Sequence, residues 1–196
     1  MKAGLIRSIG GYEGSPYPHP QRQLDARLRE AGYTVEEREL PNNAAPDFDT
    51  CLAFLRSQCQ GLESGGLILH SLSSRLFFIM VDQLRQQGAL THPLVHTAVL
   101  LAPANGRYIG DFVPAVAPFF TQEVWTPALD GAAQRLLIVA STNDPHWEEA
   151  SADLALFQRQ PGIETLVLPD QGHLNDPDTS GDLPDVRRWI MQALPH

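Results

Sequence analysis

The chain is poor in cysteine, has no run of basic residues and has no long apolar stretch. Only Cys51 and Cys59 are present. They lie eight positions apart in a helix-like stretch, which at ~1.5 Å per residue separates their backbones by about 12 Å. That is beyond disulfide reach, so both read as reduced packing residues. The 23 acidic side chains outnumber the 14 basic ones, for a net charge of -9. With no Lys/Arg stripe, nucleic acid is not an expected partner. No apolar run approaches the ~20 residues of a membrane-spanning helix, so no membrane partner is expected. The opening MKAGLIRSIGGYEG lacks the long apolar core and small-residue cleavage site of a secretion signal, and a cytoplasmic location is expected.

Metal and nucleotide signatures are missing too. The seven histidines are His19, His70, His92, His96, His146, His173 and His196. They form no HExxH pair and no Cys/His zinc spacing, so no metal site is expected. "IGGYEG" is not a G-x-G-x-x-G fingerprint and no Walker lysine follows it. There is no internal repeat, low-complexity tract or second-domain linker, and 196 residues suffice for one domain, 1–196, with a full core.

What is present is an alternation of apolar runs and amphipathic stretches. Strands are expected at Ala3–Ile9, Tyr33–Leu40, Leu67–His70, Val95–Leu101, Leu136–Ser141 and Thr165–Leu168. Helices are expected at Gln21–Ala31, Asp47–Gln58, Ser73–Gln87, His146–Arg159 and Leu183–Leu194. Repeated β-α units imply an α/β fold, a parallel sheet with helices on both faces. Ligands of such sheets bind at the carboxyl ends of the strands. Between Pro103 and Gln134 the rhythm breaks into a Gly/Pro-rich segment bearing Tyr108, Phe112, Phe119, Phe120 and Trp125. It reads as a pocket roof, or as a long loop packed down by its own aromatics.

Three strand ends carry Ser71, Asp144 and His173. A serine hydroxyl needs a base within hydrogen-bond reach to act as a nucleophile. An imidazole supplies that base, and a carboxylate fixes its tautomer and stabilises the imidazolium. The order Ser, Asp, His is that of α/β-hydrolases. A developing oxyanion needs donors. The N–H of Leu72 is one candidate, and that of Gly11 or Tyr12, in the glycine loop after the first strand, is the other. Each residue also has a plainer role open to it: Ser71 or Asp144 as a helix cap, His173 as a loop residue. Asp170, three before His173, is a rival acid, and Asp176 reads as a loop residue.

The glycine loop, "ELP" at the end of the second strand, "HSLS", "STNDP" and "GH" together resemble the small single-domain serine hydrolases of the α/β-hydrolase superfamily. That family is typified by retinoblastoma-binding protein nine and the YdeN proteins, and the resemblance spans most of the chain. It implies a minimal α/β-hydrolase fold with about six parallel strands ordered 2-1-3-4-5-6. It also implies no metal or organic cofactor and a triad of Ser71, Asp144 and His173. Two positions depart from the pattern: Leu69 stands where the nucleophile elbow usually has a small residue, and Pro20 where relatives often carry an aromatic. The function expected is hydrolysis of carboxylic esters or related small acyl substrates through an acyl-enzyme, with Tyr12, Tyr108 and Phe112 shaping the pocket. Leu69 keeps open a non-catalytic binding protein on the same scaffold, and amide or peptide cleavage by the same triad is a further alternative. The oligomeric state is unassigned.

Overall fold

A computed structural model describes residues 4–105, 114–121, 126–147 and 150–194. Six strands form one sheet: β1 Leu5–Ile9, β2 Thr34–Arg38, β3 Gly66–His70, β4 Val95–Leu101, β5 Ala133–Ser141 and β6 Ile163–Leu168. All pairings are parallel, in the order β2-β1-β3-β4-β5-β6. The helices are α1 Pro20–Glu30, α2 Phe48–Cys59, α3 Leu72–Gln86, α4 Ala150–Phe157, α5 Pro177–Ser180 and α6 Pro184–Ala193, with a 3₁₀ helix at Pro114–Phe120. No helix of the described residues is long and apolar enough to cross a membrane.

Central strands covered on both faces are largely apolar, and β3, GLILH, is buried throughout. Its side chains alternate between two cores. Leu67 and Leu69 join Leu52 and Leu55 of α2, Leu76 of α3 and Phe157 of α4 on one face. Ile68 joins Leu24 and Leu28 of α1 and Val186 and Ile190 of α6 on the other. The register sets Ile9 opposite Leu69, His70 opposite Leu101, and Ser141 opposite Leu168. The carboxyl ends of the strands therefore share one edge.

Local signals explain where helices start. Pro20 opens α1 with a φ suited to the first turn, and the His19 ring Nδ1 accepts the Gln21 N–H at 3.1 Å. Asp47 caps α2 through the Thr50 N–H at 2.9 Å. Cys51 and Cys59 are free and buried. Burial pushes their thiols up to about 11 and about 12, which keeps them protonated and unreactive.

Apart from shifts of one or two residues at other element ends, four features depart from the expected reading. β5 starts at Ala133, because Ala133 and Arg135 pair with Val95 and Thr97 of β4 although the local sequence is not strongly apolar. The helix expected from His146 is α4, Ala150–Phe157; Pro145 and His146 lie in a turn held by the Asp144 side chain. The short α5, capped by Asp176, has too few residues to show periodicity. The aromatic segment contains the 3₁₀ helix, with Phe119 buried against Phe48 at 5.3 Å. Tyr108, Phe112 and Trp125 lie outside the described residues.

A buried polar cluster underlies the loop after β1. Arg22 Nη1 donates to Asp25 Oδ2 at 2.7 Å and Nη2 to Glu39 Oε1 at 2.7 Å, and Glu39 Oε1 in turn accepts the Ser15 N–H of that loop. Burial raises the Asp25 carboxyl to about 6, against the lowering pull of Arg22. A carboxyl raised in the folded state favours folding most below its unfolded pKa, and that gain is lost as pH rises through the folded value. Wild type is therefore expected to lose about 2–3 kcal/mol relative to Asp25→Asn between pH 4 and 7. Denaturant melts of both proteins across that range would check it, and a pH-independent difference would refute it.

Candidate active site

Ser71 sits between β3 and α3 with φ 55° and ψ -114°. This positive φ is costly for a residue with a β-carbon and marks a strained turn. The turn is held from all sides. The Ser71 N–H donates to Leu101 O at 2.9 Å, and Ser71 O accepts the N–H groups of Arg75 and Ala104. Ser73 Oγ accepts the His70 N–H at 3.0 Å and has Ile9 O at 3.0 Å as an acceptor. Leu69, fully buried, takes its bulk into the core cluster that holds Ile9, Leu72 and Leu76. The elbow thus forms around a large residue at that position. The Ser71 side chain makes no capping bond to α3, which removes the plainer reading of this serine.

Its hydroxyl lies instead 2.7 Å from His173 Nε2. His173 Nδ1 lies 2.9 Å from both carboxylate oxygens of Asp144, whose side chain is fully buried. Asp144 Oδ1 also accepts the His146 N–H at 2.8 Å. Three residues distant in sequence therefore form a continuous relay from carboxylate to hydroxyl. Asp170, the rival acid, bonds Thr142 instead, and Asp176 caps α5.

The loop before Asp144 clamps the loop that carries His173. Ser141 Oγ accepts the Gln171 N–H at 2.8 Å, and Asn143 Oδ1 accepts the Gly172 N–H at 2.7 Å. Thr142 Oγ1 accepts the Asp170 N–H at 2.9 Å. The residues of "STND" other than Asp144 hold the loop of His173 in register with that carboxylate. The signal for this clamp was in the motif itself, but only its aspartate drew a role from sequence.

On the other side, the glycine loop closes on the elbow. A β-carbon on Gly11 would stand 2.9 Å from His70 O, 3.0 Å from Ser71 Cβ and 3.3 Å from Leu72 N. The loop backbone therefore runs directly beside the first amide of α3, which has no intrahelical acceptor. Gly11→Ala would push the loop off the elbow. About a 100-fold loss in kcat/KM is expected for a displacement near 1 Å, to be read by steady-state kinetics. Unchanged kinetics would show that the loop has no part in the chemistry.

These residues open into a cleft of about 460 Å³ that Tyr12, Glu13, Leu72, Val116, Phe120 and His146 help to line. Further imidazoles flank the relay. The His146 ring meets that of His173 edge-on at 4.5 Å, and the His19 ring meets that of His70 at 4.7 Å. Burial holds His19 down to about 4, helped by Arg22 and His173, and also lowers His146 and His70. All three flanking rings are neutral at pH 7. Behind the cleft, the fully buried Arg75 ties its roof to its floor. Arg75 reaches Phe119 O and Asn105 Oδ1, and Asn105 Nδ2 donates to Asp153 Oδ2, which also accepts from Trp147 Nε1. This network gave no sequence signal, because its members are scattered over three elements and two loops. Among the described residues, no group of three His, Cys, Asp or Glu side chains is placed to hold a metal ion.

Of the residues singled out in sequence, Ser71, Asp144 and His173 come together, and Gly11, Tyr12 and Leu72 surround them. Tyr108 and Phe112 lie outside the described residues.

A six-stranded parallel sheet with a strained serine after its third strand defines an α/β-hydrolase fold. The serine hydrolase family model matches residues 6–192, and the chain belongs to that family. The fold is similar to that of the ydeN gene product of B. subtilis, with a TM-score of 0.77 and 20% identity over 97% of this chain and 98% of that one. It is also similar to Est1E of Butyrivibrio proteoclasticus, whose structure holds ferulic acid, with a TM-score of 0.71 and 13% identity over 98% and 90% of the two chains. An alpha/beta hydrolase enzyme from the metagenome of sediments of the Mar Chica lagoon, Morocco, has a TM-score of 0.69 and 16% identity over 97% and 91%. No curated protein matches the sequence.

Proposed function

We propose that this serine hydrolase cleaves carboxylic esters or related small acyl compounds through an acyl-enzyme on Ser71. The observation that carries the reading is the Asp144–His173–Ser71 relay, with contacts of 2.9 and 2.7 Å. His173 Nε2 takes the Ser71 proton as Oγ attacks the acyl carbon. The proton then passes to the leaving alcohol, whose bond to the acyl carbon breaks. Water next adds to the acyl-enzyme, giving its proton to His173, and Ser71 leaves with that proton restored. Asp144 holds His173 in the tautomer that has Nδ1–H and stabilises the imidazolium between the steps. The oxyanion is met by the Leu72 N–H and by the N–H of Gly11 or Tyr12. The close approach of the Gly11 backbone to Leu72 N supports this pairing.

Leu72, Val116 and Phe120 offer an apolar wall for the acyl group, and Tyr12 stands on the opposite loop. Est1E holds ferulic acid, and we infer for this chain, too, a small or extended acyl group. Paired assays on p-nitrophenyl butyrate and butyryl p-nitroanilide test the reading. Turnover of the ester, with the anilide far slower, is the expected result. Anilide turnover equal to or above that of the ester would turn the assignment to an amidase or peptidase, and turnover of neither would favour a binding protein on this scaffold.

A further inference from the structure

His70 lies immediately before the nucleophile, is 4% exposed, and has no part in the relay. Its Nε2 stands 2.9 Å from the main-chain carbonyl of His173. A carbonyl only accepts, so Nε2 carries a proton and donates it. The ring lies 5.2 Å from the His173 ring and 4.7 Å from that of His19. Burial, first, and then the neighbouring His173 and His19 keep its pKa well below the usual histidine range. A neutral ring with Nε2–H leaves Nδ1 bare, so one tautomer is fixed across the working pH range.

The topology gives this bond a task. His70 ends β3, whereas His173 is on the loop after β6, and β4 and β5 lie between those strands. At about 4.8 Å per strand spacing, the base loop must reach back about 14 Å across the sheet to meet Ser71. The clamp from Ser141 and Asn143 fixes that loop to β5, not to β3. Among the described residues, the His70–His173 bond is the one side-chain hydrogen bond between β3 and the base loop besides the reactive contact itself.

We propose that His70 is a positioning residue: by donating Nε2–H to the His173 carbonyl, it holds the base loop against the nucleophile strand and sets the approach of His173 to Ser71. The inference rests on Ser71 and His173 being nucleophile and base. It asks for a donor at that reach, not for an imidazole. His70→Gln carries an amide N–H at a similar distance from the backbone and keeps the tie. His70→Phe fills the same space and leaves the carbonyl without its donor.

The test is the rate of Ser71 modification by a fluorophosphonate, together with kcat and KM on p-nitrophenyl butyrate, for wild type and both variants. His70→Phe is expected to lower the labelling rate and kcat by about 10- to 100-fold, with KM within about threefold and His70→Gln restoring most of the loss. Equal labelling of wild type and His70→Phe would overturn the role of His70 and leave the triad standing. Failure of wild type to label would overturn the triad reading, and this inference with it. Should His70→Phe not fold, long-range ¹H–¹⁵N spectra of wild type settle the point. A His70 signal of the Nε2–H tautomer that does not titrate between pH 5 and 8 supports the tie; an Nδ1–H tautomer or a titrating His70 refutes it.

Discussion

Ser71→Ala is expected to lower ester turnover by about 10⁴-fold or more while leaving the unfolding free energy within about 0.5 kcal/mol of wild type. The two halves of this prediction have separate causes. Turnover falls because alanine offers His173 no hydroxyl to deprotonate, and any residual rate comes from the oxyanion donors and binding alone. Stability holds because the side chain makes no capping bond to α3, so the cost of about 1 kcal/mol for a lost cap does not arise. The backbone strain at φ 55° is present for either side chain. Parallel activity assays and denaturant melts check both halves. Intact activity with a loss near 1 kcal/mol would return Ser71 to the role of a helix cap.

Asp144→Asn is expected to lower kcat by about 10⁴-fold. The Asp144 side chain accepts from two donors, the His146 N–H and His173 Nδ1. An asparagine can keep its carbonyl on the His146 N–H, and its amide N–H₂ then faces His173 Nδ1. That forces Nδ1 to accept and places the ring proton on Nε2, the atom that must receive the Ser71 proton. Shape is conserved and the tautomer is wrong, so substrate binding should change little. Steady-state kinetics would show the loss in kcat with KM nearly constant. Retention of more than about a tenth of the activity would mean that another group orients His173.

Much of the fold is legible in the sequence, because a parallel strand buried on both faces is a largely apolar run between turn residues. Val95–Leu101 shows this, with ends as read from sequence. The strand order came from family resemblance, since periodicity does not say which strands are neighbours. The structure assembles the three residues expected for the site, because each stands just past the end of its own strand and the register aligns those ends. What sequence could not show are contacts between distant segments. The bond from His70 to the His173 carbonyl and the buried Arg75–Asn105–Asp153 network join loops whose meeting depends on the finished sheet. Leu69 looked unsuited to an elbow because the space that receives it is created by α2 and α3 packing on β3.

The identity of the nucleophile can be read by intact mass after fluorophosphonate treatment of wild type and Ser71→Ala. A single adduct on wild type and none on the folded variant is the result expected of an activated Ser71. An unmodified wild type, or equal labelling of both proteins, would contradict a Ser71 acyl-enzyme.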